Sequence, residues 1–349
     1  MPEPSSLKEL VNRIAAKYLA TRGYAALVIG VYQDGHAYSQ GFGILSGTNG
    51  SPPDAQTLFE IGSITKLFTA IALARLAEDG LLKLDDPIGL HLPPGIGNPS
   101  VNQIILKDLA THTSGLPRMP KNFNDAKKRP LNPYAFYTTQ HLFDSLATVE
   151  LKSEPDKKHE YSNYGYGLLG KILELRTGKS YEELIKEYIC QPLGLPNTVI
   201  KLSAAQKERL TPGHHPKGQI LPNWDFDALP GCGALRSTAE DLLKFVAANL
   251  TKTDSPISVA LHKTHERLYQ QDKGGRGLGW AIQETNGRTF HSHGGATGGY
   301  MSFVVIEQAS QTGVVLLSNY GDATARDLIL PQLGAKLATV ASKLKWSVQ

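Results

Sequence analysis

The sequence lacks the features that mark several classes of protein. It contains only 2 cysteines, and its formal net charge at pH 7 is only +4. Because lysine and arginine form no dense run, we do not expect this chain to bind nucleic acid. No apolar stretch approaches the length needed to span a membrane, so no transmembrane segment is predicted. An apolar content of 41% over 349 residues instead predicts a packed core.

The two cysteines and the N-terminus do not establish a cellular compartment. Cys190 lies in a helical pattern and is expected to be buried, whereas Cys232 lies in a loop between two glycines. Two isolated thiols in a large chain are more often unpaired, and the sequence leaves their pairing open. Residues 1–6 have neither a basic start nor an apolar run, so no signal peptide is visible. We expect a periplasmic or secreted protein if a signal peptide was removed, and a cytoplasmic protein otherwise.

The secondary-structure patterns place strands at both chain ends and helices in the middle. Strands are predicted at residues 25–32, 38–44, 278–283, 301–307 and 314–319. Helices are predicted at residues 7–21, 66–78, 164–177, 181–190 and 323–343. This order predicts an α+β protein with one antiparallel sheet built from both chain ends, flanked by helices, and an inserted all-helical lobe. We assign residues 1–60 and 215–349 to the sheet lobe and residues 61–214 to the mainly helical lobe.

The segment Ser63-Ile64-Thr65-Lys66 lies where an apolar helix is predicted to begin. A serine and a lysine three residues apart on the first turn of a helix share one face, so the amine can reach the hydroxyl. A neighbouring amine activates an otherwise poor serine nucleophile by taking its proton. Free backbone N–H groups at the helix start can also stabilise an oxyanion. On this pattern alone, Ser63 could equally be a helix cap and Lys66 a surface lysine.

Two further motifs follow, Tyr161-Ser162-Asn163 and His293-Gly294-Gly295. With Ser63 and Lys66 they resemble the S-x-x-K, Y-x-N and K-T-G or H-x-G elements of the penicillin-recognising serine hydrolases. The tyrosine version is similar to the class C β-lactamase branch, which includes D-Ala-D-Ala carboxypeptidases and esterases. The resemblance extends from about residue 24 to residue 319 and includes the sequences of segments 106–117 and 233–241.

The resemblance implies a serine hydrolase that forms a covalent acyl-enzyme on amide, lactam or ester carbonyls. Its active site is expected in the cleft between the two lobes. Ser63 is expected to be the nucleophile, while Lys66 and Tyr161 share its proton. Asn163 is expected to form a hydrogen-bonded pair with Lys66, although it could also cap the following helix. The N–H groups of Ser63 and Ala296 are expected to bind the oxyanion.

The third motif departs from the family pattern. Class C β-lactamases carry K-T-G, whereas this chain has His293 and Gly294 in place of the lysine and threonine. An unperturbed histidine is mostly neutral near pH 7, so the charge and the hydroxyl that would hold a substrate carboxylate are weakened or absent. The glycines, including Gly295, let a ligand lie close to a strand edge. We therefore expect peptidase or esterase activity to exceed hydrolysis of β-lactams.

No metal or organic cofactor is expected. The segments 214–215 and 291–293 contain paired histidines, but they lack the carboxylate or cysteine spacing of a zinc site. The glycine-rich segment 275–279 lacks the strand–turn–helix context of a nucleotide loop and is interpreted as a flexible connection. The expected partner is a small-molecule or peptide substrate, and the oligomeric state stays open. Two alternative functions also stay open, a penicillin-binding receptor with little turnover and a catalytically silent scaffold.

Overall fold

The strands form one large sheet and two short ribbons. The computed structural model describes residues 4–45, 50–126, 131–321 and 329–344. Its strands are β1 (Ala26–Gln33), β2 (His36–Gly43), β3 (Leu58–Glu60), β4 (Gly213–His214), β5 (Ile220–Leu221), β6 (Arg236–Thr238), β7 (Tyr269–Gln271), β8 (Gly274–Arg276), β9 (Ala281–Thr285), β10 (Arg288–Ala296), β11 (Met301–Glu307) and β12 (Thr312–Ser318).

The large sheet joins the two ends of the chain. Its eight strands have the order β2-β1-β12-β11-β10-β9-β8-β7, and every neighbouring pair is antiparallel. Strand β1 is buried along its whole length, as expected for an apolar, β-branched run in the interior of a sheet. It pairs with β12 in a register that places Gly30 opposite Val315. This pairing confirms the predicted antiparallel sheet built from both chain ends.

The helices occupy both faces of the sheet and the middle of the chain. They are α1 (Leu7–Leu19), α2 (Thr65–Glu78), α3 (Pro99–Asn102), α4 (Leu106–Thr111), α5 (Phe123–Ala126), α6 (Thr139–Thr148), α7 (Asn163–Thr177), α8 (Tyr181–Ile185), α9 (Gln191–Leu193), α10 (Ala204–Arg209), α11 (Ala239–Leu250), α12 (Pro256–Lys263) and α13 (Ile329–Ala341). A π-helical turn, Lys186–Cys190, connects α8 to α9. None of the described helices is long and apolar enough to cross a bilayer.

Two apolar cores follow from this arrangement. Helices α1 and α13 bury one face of the sheet, where Leu10, Val11 and Leu337 pack against strand residues such as Leu316. The opposite face packs against α11 and continues into the core around α2 and α7. Helix α2 is buried on nearly all sides, so its first turn is held in the interior of the molecule. The division of the chain at residues 60 and 215 stays a prediction.

The predicted elements differ from the structure mainly near the C-terminal half of the sheet. The strand predicted at 278–283 begins at Ala281, because residues 277–280 form a turn packed against the α12 end. Strand β10 (Arg288–Ala296) was not among the predicted strands. The interpretation of 275–279 as a flexible connection is wrong at its start, since Gly274–Arg276 is a paired strand. Residues 323–328 of the last predicted helix lie outside the described residues.

Candidate active site

Ser63 lies in a single 3₁₀ turn, Gly62–Ile64, that leads directly into α2. Short strand β3 pairs with β6 and brings the chain into this turn. Gly62 adopts φ +47, and a Cβ built on it would lie 2.7 Å from the Ala296 nitrogen. A side chain at this position is therefore excluded by backbone strain and by contact. The hydroxyl of Ser63 does not cap α2, since the helix has no side-chain cap.

The Ser63 hydroxyl lies within hydrogen-bond distance of two proton carriers. Lys66 Nζ is 3.0 Å from Ser63 Oγ, and the Tyr161 hydroxyl is 2.7 Å from the same oxygen. Lys66 is fully buried, which excludes a surface role, and its Nζ also donates to the Cys232 carbonyl at 2.6 Å. The aliphatic stem of Lys66 is therefore buried, and its terminal nitrogen reaches the serine hydroxyl. A nucleophile with two potential bases in contact is the arrangement that covalent catalysis needs.

Asn163 does not form the predicted pair with Lys66. Its amide nitrogen donates to the Tyr134 hydroxyl at 3.1 Å, and its Oδ1 is buried without a partner among the described residues. Ser162, rather than Asn163, caps α7 by accepting the Gly165 N–H at 2.8 Å. Asn163 is the first residue of the helix, so its side-chain amide does not act as the N-cap. Its unpartnered oxygen can accept a hydrogen bond from a bound ligand.

His112 packs against two residues of the second motif, Tyr161 and Ser162. Its ring lies 4.4 Å from the Tyr161 ring, and its Nδ1 accepts the Ser162 N–H at 3.0 Å. Burial, followed by the charge of Lys66, lowers the pKa of His112 well below its usual value, so the ring is neutral. His112 adopts φ 62 at the end of α4, a left-handed conformation uncommon for residues other than glycine. The contact of His112 with the second motif was not predicted, because the sequence shows only a histidine at the end of a helix.

The third motif lies at the end of strand β10. The pairing of β9 with β10 stops at Ser292, whereas β11 pairs with β10 as far as Ala296. Residues 293–296 therefore have one strand edge without a strand partner among the described residues. Gly295 fits against the turn of Ser63, since a Cβ built on it would lie 2.0 Å from the Ile61 carbonyl oxygen. This edge faces the cavity that contains Ser63, so an extended ligand can add to it.

His293 is a neutral side chain in this structure. Burial lowers its pKa to about 3, with a further lowering from the charge of Lys66. Its Nδ1–H donates to the Gly294 carbonyl at 2.8 Å, and this bond raises the pKa in part. At any pH near neutrality the imidazole therefore supplies no positive charge. Gly294 has space around it, because the atom nearest to a built Cβ is 3.7 Å away on Phe303.

A cavity of about 560 Å³ contains the three motifs. One wall is apolar and aromatic, with Tyr134 stacked on Phe226 at 4.4 Å and Trp224 beside them. Met119 and Phe123 extend this wall. Such a cavity, apolar with a few converging polar groups, is the usual form of a site for small ligands.

The charged lining of the cavity is entirely basic. Arg118 and Arg276 line it, whereas no aspartate or glutamate does so in the part of the chain that the structure describes. The guanidinium of Arg118 lies 5.1 Å from the centre of the Tyr161 ring and is exposed to solvent. Arg276 was not predicted as a site residue, because it lies in the segment 275–279 that was interpreted as a flexible connection. Its local signal is a single charged side chain among glycines.

Neither cysteine forms a disulfide, and both are buried. Burial raises the pKa of Cys190 to about 12 and that of Cys232 to about 11, so both stay protonated thiols. Cys232 contributes to the site through its backbone carbonyl rather than its sulfur. No group of three potential metal ligands among histidine, cysteine, aspartate and glutamate occurs in the described ranges.

Comparison with known proteins gives consistent matches over most of the chain. The sequence model of the Beta-lactamase family matches residues 11–339. The D-alanyl-D-alanine-carboxypeptidase/endopeptidase AmpH of Escherichia coli K12 is 28% identical over 333 residues, covering 90% of this chain and 84% of that protein. A beta-lactamase of Pseudomonas fluorescens is 26% identical over 352 residues, covering 90% and 94%.

The fold matches solved structures as well. The crystal structure of a beta-lactamase/D-alanine carboxypeptidase from Pseudomonas syringae superposes with a TM-score of 0.83 at 22% identity, covering 95% of this chain and 98% of that one. A class C beta lactamase from Rhodobacter sphaeroides superposes with a TM-score of 0.82 at 23% identity, covering 95% and 98%. At these identities the superpositions show a shared fold, an antiparallel sheet flanked by helices.

Proposed function

This chain belongs to the beta-lactamase family and is a serine hydrolase. From that premise we propose that it is of the class C type and that its preferred substrates are D-Ala-D-Ala-type peptides and esters rather than β-lactams. The observation that carries the mechanism is the contact of Ser63 Oγ with Lys66 at 3.0 Å and with Tyr161 at 2.7 Å. The observation that supports the preference for peptides is the open strand edge of residues 293–296, which offers backbone hydrogen bonds to an extended substrate.

The proposed mechanism is acyl transfer through a covalent serine intermediate. Ser63 Oγ attacks the carbonyl carbon, and its proton passes to the Lys66–Tyr161 pair. The N–H groups of Ser63 and Ala296 stabilise the tetrahedral oxyanion. A Cβ built on Gly62 would lie 2.7 Å from the Ala296 nitrogen, so the two backbones approach closely at this point, and this proximity supports the proposed role. The protonated pair then protonates the leaving group, and water releases the acyl group by the reverse path.

The proposed preference follows from the third motif. In a K-T-G enzyme a lysine and a threonine on this strand hold the substrate carboxylate, whereas here the corresponding side chains offer neither charge nor hydroxyl. The strand edge of residues 293–296 still offers backbone hydrogen bonds to an extended peptide. The relative named as a carboxypeptidase/endopeptidase is in accord with this proposal. A peptide aligned along the edge gains from these bonds, while a compact lactam gains less.

A substrate panel tests the proposal. We expect a D-Ala-D-Ala peptide and a p-nitrophenyl ester to be hydrolysed with a higher kcat/KM than the chromogenic lactam nitrocefin. Ser63→Ala is the control, since alanine lacks the attacking oxygen yet is small and compatible with the turn. It should abolish turnover and covalent labelling while the Tm stays close to that of the wild type.

The outcomes of the panel separate the alternatives. A higher kcat/KM for nitrocefin than for both other substrates would identify a β-lactamase instead. A penicilloyl adduct that persists in intact-mass spectra without product formation would identify a penicillin-binding receptor. If the protein neither reacts covalently with penicillin nor hydrolyses any of the three substrates, a catalytically silent scaffold would be identified. Wild-type labelling of the Ser63→Ala protein would place the nucleophile elsewhere.

A further inference from the structure

Arg276 is a cation without a counter-charge in the candidate active site. It lines the cavity, its Nε is buried without a partner, and its guanidinium forms no hydrogen bond or ion pair within the described ranges. Arg236 in β6 shows the usual alternative, since it is buried beside Glu60 and donates to the carbonyls of Ile200 and Trp224. The side chain of Arg276 is only partly exposed. Because removing a charge from water is costly unless the charge is paired, this cation offers a binding site for an anionic group of a ligand.

The backbone of Arg276 is held firmly although its side chain has no partner. Its carbonyl accepts the Leu268 N–H at 2.8 Å, and β8 pairs with strands on both sides. Both neighbours must be glycine, because a Cβ on Gly275 would lie 2.3 Å from the Tyr269 carbonyl oxygen and one on Gly277 would lie 2.3 Å from that of Thr264. The local packing thus fixes the position from which this guanidinium extends and does not neutralise it.

The charge of Arg276 acts on the groups around the nucleophile. Burial, followed by the charge of Arg276, lowers the pKa of His159 to about 4. The same charge contributes, after burial and Lys66, to the lowered pKa of His293 and of His112. All these neighbours are cationic or neutral. The missing partner is therefore an anion that enters with the ligand.

We propose that Arg276 binds the carboxylate of the substrate and so takes over the task of the lysine that is absent from the third motif. The guanidinium offers a planar, permanently charged fork that matches a carboxylate with two hydrogen bonds. Arg118 lines the same cavity, but it is exposed to solvent, so water screens its charge. Arg276 is thus a specificity-determining residue, and this assignment rests on the acyl-transfer function proposed above.

The test compares an acid with its ester at the acylation step. Benzylpenicillin and its methyl ester are incubated with wild type, Arg276→Met, Arg276→Lys and the matched control Arg118→Met, and adduct formation is followed by intact-mass spectrometry. Loss of a charge-assisted contact predicts that Arg276→Met lowers the acid-to-ester ratio of acylation rates by roughly tenfold to a hundredfold. Arg276→Lys should restore part of the ratio. Arg118→Met should change it much less.

Two other results would overturn the assignment. An equal loss for acid and ester, with a displaced pH profile, would show that Arg276 acts on Tyr161 and its neighbours instead. An unchanged ratio would show that the carboxylate binds elsewhere. A fall in Tm identifies a folding defect, in which case Arg276→Lys decides, since it keeps the charge and the polar stem.

A binding measurement keeps the proposal testable if neither compound acylates the protein. N-acetyl-D-alanine and its amide are titrated by calorimetry into Ser63→Ala and into Ser63→Ala with Arg276→Met. We expect the acid to bind more tightly than the amide, and this advantage to disappear with Arg276→Met. Absent acylation with an intact acid preference would contradict the proposed function alone. Equal binding of acid and amide to Ser63→Ala would contradict the role of Arg276.

Discussion

Ser302 donates its hydroxyl to the carbonyl of Ile61 at 2.8 Å, and this bond ties the sheet to the turn of the candidate nucleophile. Ser302 lies in β11 opposite Gly295 of β10, while Ile61 directly precedes the turn Gly62–Ile64. The third motif and Ser63 are more than 200 residues apart in the chain, and this hydrogen bond is one of the contacts that fix their relative position. A change that separates the two backbones should therefore affect catalysis before it affects the fold.

The glycines of the third motif should differ sharply in their tolerance of a side chain. We expect Gly295→Ala to lower kcat strongly, because its Cβ would lie 2.0 Å from the Ile61 carbonyl and 2.3 Å from Ser302 Oγ. Gly294→Ala is the matched control, since its Cβ would meet no atom closer than 3.7 Å. Steady-state kinetics and Tm for both variants check this. Equal kcat values for the two variants would contradict the role given to the close contact.

Tyr161→Phe should reduce kcat by about a hundredfold or more, as expected when a positioned acid or base is removed. The hydroxyl that contacts Ser63 at 2.7 Å is lost, whereas the ring keeps its contact with His112 at 4.4 Å. Tyr166→Phe serves as control, because its hydroxyl donates to the Ala110 carbonyl and does not reach Ser63. Tyr166→Phe should lower Tm, because it loses a buried hydrogen bond, but it should leave kcat close to that of the wild type. A near-normal rate for Tyr161→Phe would assign this residue to packing.

Restoring the family pattern at the third motif should shift substrate preference. The double variant His293→Lys with Gly294→Thr introduces a charge where burial holds the histidine neutral with a pKa of about 3. A Cβ at Gly294 would meet no atom closer than 3.7 Å. We expect the ratio of kcat/KM for nitrocefin to that for a neutral p-nitrophenyl ester to rise roughly tenfold to a hundredfold. Gly294→Thr alone should produce a smaller rise. A wild type that already prefers nitrocefin, with no change in the double variant, would refute the argument.

Asp108 should make the protein less stable as the pH rises. Burial, followed by the charge of Asp156, raises its pKa from the usual 3.8 to about 6. The folded state therefore holds a proton that the unfolded state has already released between these values, and the free energy of unfolding falls across that window by up to about 3 kcal/mol.

Chemical denaturation from pH 4 to pH 7 checks this effect. Asp108→Asn should remove this part of the pH dependence and raise the stability at pH 7, since the amide stays neutral throughout. Asp85→Asn is the control, because Asp85 is exposed and pairs with Lys107 at the surface. It should leave the slope nearly unchanged. Parallel pH curves for wild type and Asp108→Asn would contradict the assignment.

The sequence by itself determined the elements whose pattern is local. The apolar, β-branched run of β1 and the turn signal Asp34-Gly35 after it are complete within a few residues, so β1 and β2 were predicted within two residues of their ends. The helix after Ser63 and the strand Met301–Glu307 were predicted for the same reason. The spacing from Ser63 to Lys66 likewise implied a shared helical face, and the structure places their polar atoms 3.0 Å apart.

Only the tertiary structure decided which distant groups meet. The end of β10 is rich in glycine and lacks an alternating pattern, so pairing with β11 alone makes it a strand. Lys66 binds the Cys232 carbonyl rather than Asn163, and this pairing depends on how the chain folds, because Lys66 and Cys232 are 166 positions apart in the sequence. The sequence around Arg276 does not distinguish an arginine on the surface from an unpaired arginine in a cavity, and only the structure places it in the cavity. The physical reason is common to all three. Burial and charge pairing are properties of the surrounding atoms, and those atoms come from remote parts of the chain.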